Sequence, residues 1–427
     1  MFARIDEDNA KEGVRSFYDL HPSPPAVEDL DEYRRQWQDE DRRIADFHMH
    51  WPRRPYREDL RILVAGCDRA QAARHALRHP SAQVIGIDIS ETSIEHTLAL
   101  KKKYNLTNLD VHRLPIEQVQ ELGEIFDLIV CKGVLHHLSD PQTGLCALRS
   151  VLDASGALDL TVHAPYGRAG VYMLQEYCRR LHIGHSSVEI RDLARTLVAL
   201  PRSHPLVPLL GTAPDLKTSA GMADALLYPQ GRSYTVPQLF ELLAACGLKF
   251  GRWVRQACYL PQCSSLHTTP HAARLRRLPL EEQYAVLELF RGDMLHHNLI
   301  AYIPGLEEER SLSFNGAGWL AYIPLSLPDI LISKSDLPWK AAGLINPANG
   351  HPELALSVDE LELQLFNAID SRRSISGIIQ LVAEERGTKP DAIYSRAQLF
   401  FEQLWWYDLV GGFILSAKCE PAEGTSS

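Results

Sequence analysis

Between Arg61 and Val162 the chain repeats one pattern: a short apolar run, an amphipathic stretch of helical length, then another apolar run. Continuous apolar runs suit strands buried on both faces, and helix-length crossovers between them are what neighbouring parallel strands require. The runs predict strands at 61–65, 83–87, 109–112, 126–131 and 157–163, with two more near 250–255 and 297–303. The expected fold class is therefore α/β, a doubly wound, mostly parallel sheet.

At 427 residues the chain is longer than one hydrophobic core usually organises, so more than one domain is expected. Residues 1–60 carry a proline cluster (Pro22, Pro24, Pro25) and then a predicted helix from Val27 to about His50, together read as a helical cap. Residues 61–303 form the principal domain, with a helical lid inserted at about 165–235, where prolines 201, 205, 208, 214 and 229 interrupt the helices. Thr235 is placed to cap the next helix, and Cys246-Gly247 to stop it. Residues 304–353 are punctuated by Pro and Gly and read as a linker, whereas 354–418 regain helical periodicity (Leu361, Leu365, Ile369) and are expected to fold as a small separate domain.

Composition narrows the function classes. A net charge of -10 argues against general affinity for nucleic acid, because clustered Lys and Arg supply most phosphate binding. No apolar run reaches transmembrane length, and the first residues turn acidic at once, so neither a membrane span nor a secretory leader is expected. Eight scattered cysteines are too few for a disulfide scaffold, which points to a reducing, cytoplasmic setting. Cys258 and Cys263 form a close pair but lack a second pair or a His at zinc-ligand spacing, so no metal is expected.

The segment richest in chemistry is Ile62-Leu63-Val64-Ala65-Gly66-Cys67-Asp68-Arg69-Ala70, a strand that breaks at a glycine and leads into a helix. A glycine there lets the backbone approach a nucleotide-like ligand, and the helix start offers free N–H groups. Farther on, Asp88 ends the second strand, where a carboxylate accepts hydrogen bonds from ribose hydroxyls. Each piece has a plainer reading: many strands end in glycine, and Asp88 is also placed to cap the helix near Thr92. Because a nicotinamide cofactor also presents a ribose, an NAD-dependent oxidoreductase stays open at this point.

A third segment, Phe126-Asp127-Leu128-Ile129-Val130-Cys131-Lys132-Gly133-Val134-Leu135-His136-His137, and the later Val151-Leu152-Asp153-Ala154-Ser155-Gly156, make the pattern more specific. With the Gly66 turn and Asp88, this stretch resembles the class I S-adenosylmethionine-dependent methyltransferases, which have a Rossmann-like fold. The resemblance implies S-adenosylmethionine as cofactor, with Gly66, Cys67 and Asp68 at its methionine part and Asp88 at its ribose. It places Ile89 and Ile116 on the adenine faces and Cys131 at the fourth strand end beside them. The chain departs from the family's Gly-x-Gly-x-Gly turn by keeping only Gly66, and has Val64 and Pro115 where acidic residues are usual. Such departures leave a non-catalytic scaffold as the alternative to an active enzyme.

Methyl transfer asks mainly for alignment of the reacting atoms, and a base is needed only when the acceptor must lose a proton. His136 and His137 are the candidate bases, with packing and turn capping as their plainer roles. Tyr166, Arg168 and Tyr172 follow the fifth strand and are candidate contacts to a small-molecule or peptide acceptor, though their polarity suits an exposed helix as well. Tyr18 lies in a Tyr- and Pro-rich segment that resembles one preceding the core in some bacterial members of the family. The C-terminal residues resemble small winged-helix domains, but 351–418 hold ten acidic side chains against six basic ones. That balance favours protein contact or a homodimer over DNA.

Overall fold

The computed structural model describes residues 27, 29–67, 70–213, 215–228, 231–334, 341–351 and 353–415. Its elements run α1 (Asp31–Gln36), α2 (Glu40–His50), β1 (Arg61–Ala65), α3 (Gln71–Arg78), β2 (Gln83–Asp88), α4 (Glu91–Tyr104), β3 (Leu109–Arg113), β4 (Phe126–Lys132), α5 (Pro141–Ser150) and β5 (Leu152–His163). Next come α6 (Ala169–Arg180), α7 (Ser187–Leu197), α8 (Val207–Thr212), α9 (Ser219–Leu227), α10 (Val236–Ala245), β6 (Lys249–Trp253), α11 (Ala272–Leu275), α12 (Leu280–Arg291) and β7 (His296–Tyr302). The chain continues with β8 (Tyr322–Leu325), β9 (Leu331–Lys334), β10 (Ala342–Ile345), β11 (Leu356–Val358), α13 (Glu360–Asn367), α14 (Ile375–Glu385), α15 (Tyr394–Trp406) and β12 (Gly412–Leu415). Two compact units divide these elements. Among the described residues no helix is long and apolar enough to cross a membrane.

The first unit comprises the chain up to Gln38, Arg57–Phe250 and Glu288–Pro304. Its seven-stranded sheet has the order β3-β2-β1-β4-β5-β7-β6. β1 pairs in parallel with β2 and β4, β2 with β3, and β4 with β5, while β7 runs antiparallel to β5. The central strands are buried on both faces, which is why Ile62-Leu63-Val64-Ala65 carries no polar alternation. Helices enter this sheet through side-chain caps: Ser90 Oγ accepts from Ser93 N–H for α4, Asp140 from Gln142 and Thr143 for α5, and Thr235 closes a capping box with Gln238 for α10.

The seven expected strands are all present, and β5 starts earlier than its expected residue 157, at Leu152. Asp153-Ala154-Ser155-Gly156 reads as a turn by composition, yet it continues the strand across a register shift against β4. Gly156 permits this because a Cβ there would sit 2.8 Å from the Asp127 carbonyl oxygen. The lid helices α6, α7 and α9 build a core of their own from Leu174, Ile190, Leu193, Met222 and Leu226, joined by Leu206 at the start of α8. Cys146 on α5 and Cys246 at the end of α10 are joined by a disulfide, their Cα atoms 4.9 Å apart. The sparse cysteine pattern gave no reason to expect this bond, because the partners lie 100 residues apart in sequence.

The helix expected from Val27 to His50 is two helices. The break falls at Trp37–Asp39, where the Asp39 carboxylate accepts from Asp41 N–H at 3.0 Å and starts α2 afresh. Residues 39–56 belong with 251–287 and the described residues from 305 to 415 in the second unit.

That second unit packs Trp319, Leu344, Leu361, Leu365, Ile375, Ile378, Phe400 and Phe401 into one core. Residues 304–353, expected to be a linker, supply part of it: Trp319 is fully buried, and Tyr322, Ala342 and Leu344 come from β8 and β10. Strands of four residues between Pro and Gly turns are too short to show a period, so the sequence pattern hid them. β12 pairs with β8, and β10 lies between β9 and β11. Asp408 ties the unit's segments together: its carboxylate accepts from Ala257 N–H at 3.1 Å and meets Arg252 at 3.5 Å. The Asn346 side chain donates to the Asp408 carbonyl at 2.6 Å.

Candidate active site

Ligands of open, doubly wound sheets bind outside the carboxyl ends of the strands, where the chain order reverses, here between β1 and β4. Gly66 follows β1 directly, with its N–H donating to the Ile87 carbonyl at 2.8 Å and its φ at +89°. That backbone conformation is open to glycine, and the side chain of Val134 fills the space any Cβ would take. The next residue, Cys67, donates its N–H to Asp88 Oδ2 at 2.9 Å, and Ser90 N–H donates to Asp88 Oδ1 at 2.9 Å. The turn after β1 and the carboxylate after β2 are thus in direct contact. Asp88 does not cap α4, because Ser90 does.

The other cofactor-side residues are distributed unevenly. Asp68 lies outside the described residues, as does Tyr18. Cys67 has a fully buried side chain turned toward Gly86, so it offers its backbone alone. Ala70, at the family's third glycine position, is 2% exposed. Ile89 is half-buried beside Asp88, whereas Ile116 is buried and faces Gly144 on α5. Cys131 is fully enclosed in β4, and burial pushes its thiol up to about 12, so it is a packing residue there with no accessible thiolate.

Past β4, Leu135–His137 forms a single 3-10 turn that brings two imidazoles to the sheet edge. His136 is 1% exposed; its ring centroid lies 3.6 Å from that of His163 and 4.2 Å from that of His137. His163 ends β5 and pairs in register with His296 at the start of β7, the rings 5.3 Å apart. Tyr228 from the lid meets the His137 ring edge-on at 4.7 Å. The returning lid segment is tied to the same edge, with Arg232 N–H donating to His136 O at 3.0 Å and Tyr234 N–H to His163 O at 2.9 Å.

Burial holds these imidazoles in their neutral form. It lowers His136 well below its ordinary value and His137 to about 3, with the Arg168 charge acting in the same direction on both. His163 is lowered for the same reasons. Arg168 occupies the N-cap position of α6 without a side-chain cap bond, its Nε buried, and Tyr172 stands one turn farther along with its Oη buried. Tyr166 is 41% exposed.

His163, His296 and Tyr228 were not among the residues singled out from sequence. A usable signal existed for two of them: His136-His137, His163 and His296 each sit where a strand of the sheet begins or ends. Tyr228 gave none, because the lid's place over the strand ends is not readable from its own residues.

Comparison with known proteins agrees with this geometry. Residues 63–158 match a family described as a methyltransferase domain. An uncharacterized protein of Synechococcus sp. is 27% identical over 305 residues, 68% of this chain and 71% of that one. A ubiquinone biosynthesis O-methyltransferase of Acinetobacter baumannii is 25% identical over 97 residues, which span 22% of this chain and 40% of the relative. Among solved structures, PKMT2 from Rickettsia typhi has a similar fold, with a TM-score of 0.65 and 14% identity over 91% of this chain and 77% of that one. The same protein in complex with AdoHcy gives a TM-score of 0.64, with 15% identity over 93% of this chain and 78% of that one. Residues 63–158 are thus similar to a methyltransferase domain, and the sheet that holds them has a Rossmann-like fold, the fold expected of the class I S-adenosylmethionine-dependent methyltransferases.

Proposed function

We propose that this chain transfers a methyl group from S-adenosylmethionine to a small-molecule or peptide acceptor by direct in-line displacement. The observation that carries the reading is the contact between Cys67 N–H and Asp88 Oδ2, which joins the glycine turn and the ribose-accepting carboxylate at one point of the sheet edge. Each carboxylate oxygen accepts more than one hydrogen bond, so Asp88 can hold the turn and receive ribose hydroxyls together. Gly66 and the backbone of Cys67 form the surface for the methionine part. The position of Ile89 suits one adenine face. When bound, the cofactor supplies a methyl group already activated by its sulfonium.

Strand order bears on the oxidoreductase alternative. Dinucleotide-binding sheets have the parallel order 3-2-1-4-5-6, whereas here an antiparallel β7 stands between β5 and β6. His136 and His137 enclose the acceptor side as neutral, weakly basic rings, which suits binding and alignment better than proton abstraction. The second unit, with its acidic balance, is assigned to protein contact.

Calorimetric titration with S-adenosylhomocysteine tests the proposal. Saturable binding that is lost in Asp88→Ala supports it. Absence of heat at millimolar ligand would leave the scaffold reading, which Asp68 and Ala70 at the turn's second and third glycine positions favour.

A further inference from the structure

We propose that Arg168, His136 and Tyr172 form a subsite for an anionic group, a carboxylate or a phosphate, carried by the methyl acceptor. The inference rests on the methyltransferase reading and names the chemistry of its second substrate.

Arg168 occupies the N-cap of α6, a helix of 12 residues with no acidic side chain in its first turn. A helix start is positive by its aligned peptide dipoles, so a cation placed there is unfavourable unless an anion joins it. The Arg168 Nε is buried with no hydrogen-bond partner among the described residues. Tyr172 follows four residues later, hence on the same helix face, and its buried Oη has no partner either. His136, 1% exposed, leaves both ring nitrogens unpaired.

Buried polar atoms without partners cost stability, and four of them on three side chains, with the Arg168 charge close enough to act on His136, point to a ligand that completes them. The missing partner has a definite character. A guanidinium offers only donors, and a phenol and a neutral imidazole each hold one donor hydrogen, so a group with several acceptor oxygens serves all three. The surrounding charge agrees: the Arg168 guanidinium acts on His136, His137, His163 and His296 alike. A cationic acceptor group would meet the like charge of Arg168 there.

The test uses the full chain and simple probes, sodium benzoate for a carboxylate and inorganic phosphate for a phosphate, with neutral benzamide and cationic benzylamine as controls. Binding is read from the shifts of imidazole proton resonances, with and without saturating S-adenosylhomocysteine. The expected result is saturable binding of benzoate or phosphate, with benzamide and benzylamine weaker by about tenfold or more. Which anion binds decides between the two sources. Arg168→Gln should weaken anion binding by about tenfold while leaving S-adenosylhomocysteine affinity unchanged. Should Arg168→Gln fail to fold, Tyr172→Phe, which loses only a hydroxyl, carries the same test with a smaller loss. Benzylamine binding in preference to benzoate, or equal anion affinity in the variants and the parent, overturns the subsite. Failure to bind S-adenosylhomocysteine overturns the methyltransferase reading instead, and the two results are separately observed.

Discussion

The side chain of Val134 stands in the space that a Cβ on Gly66 would need. β1 and the segment after β4 therefore meet at van der Waals distance only because residue 66 has no side chain.

Gly66→Ala should consequently destabilise the chain by about 1–3 kcal/mol, combining overpacking with a backbone at φ +89° that alanine resists. Val134→Ala added to it should restore part of the loss but not the conformational share. Denaturant midpoints of both single variants and the double variant measure this. A neutral Gly66→Ala would show that the turn is looser than described.

Asp88→Asn keeps the shape of the carboxylate but replaces one acceptor oxygen with a donor. It should lower S-adenosylhomocysteine affinity by about 10- to 100-fold, or roughly 1.4–2.7 kcal/mol, measured by calorimetry. Ser90→Ala, which removes the α4 cap beside it, should leave affinity within about threefold and cost roughly 1 kcal/mol of stability. The opposite ranking would mean that Asp88 serves only to brace the turn.

His137 provides a pH signature. Its ring is held to about 3 in the folded chain, below the ordinary 6.5, so between these values the unfolded chain takes up a proton that the folded one refuses. Its contribution to stability is present above pH 6.5 and is lost as pH falls toward 3. His137→Gln should therefore cost more at pH 7.5 than at about pH 4.5 relative to the parent, in urea titrations at both values. A difference independent of pH would contradict a neutral, desolvated imidazole.

Asp408 in the second unit should show the reverse dependence. Burial raises its carboxyl from 3.8 to about 6 against the opposing pull of Arg252. Its contribution is complete below pH 3.8 and is lost as pH rises through about 6, a swing on the order of 2–3 kcal/mol. Relative to Asp408→Asn, the parent should gain stability between about pH 7 and pH 4.5, read by hydrogen exchange in α15. No relative gain would place the carboxylate in contact with solvent.

The sheet was legible because its strands are buried on both faces, so that runs such as Ile62–Ala65 and Leu128–Cys131 stand out from any surroundings. Caps were legible where side-chain chemistry is local, as at Thr235. What escaped was non-local. The break at Asp39 lies within an amphipathic run, and the strands between Tyr322 and Ile345 are stabilised by a core whose other residues lie far along the chain. The site followed the same division. Gly66 and Asp88 were readable from spacing, and Cys67, next to Gly66, donates its N–H to Asp88. The imidazole of His163 became a neighbour of His136 through the β4–β5 pairing, and His296 met His163 through the β5–β7 pairing, which joins residues far apart in sequence.

The bond between Cys146 and Cys246 closes a covalent ring that contains β5 and every helix of the lid. A protease cutting once inside that ring would sever the polypeptide without releasing a piece. The nicked molecule would run as a single species on a gel until thiol reductant opened the ring, and two fragments would then separate.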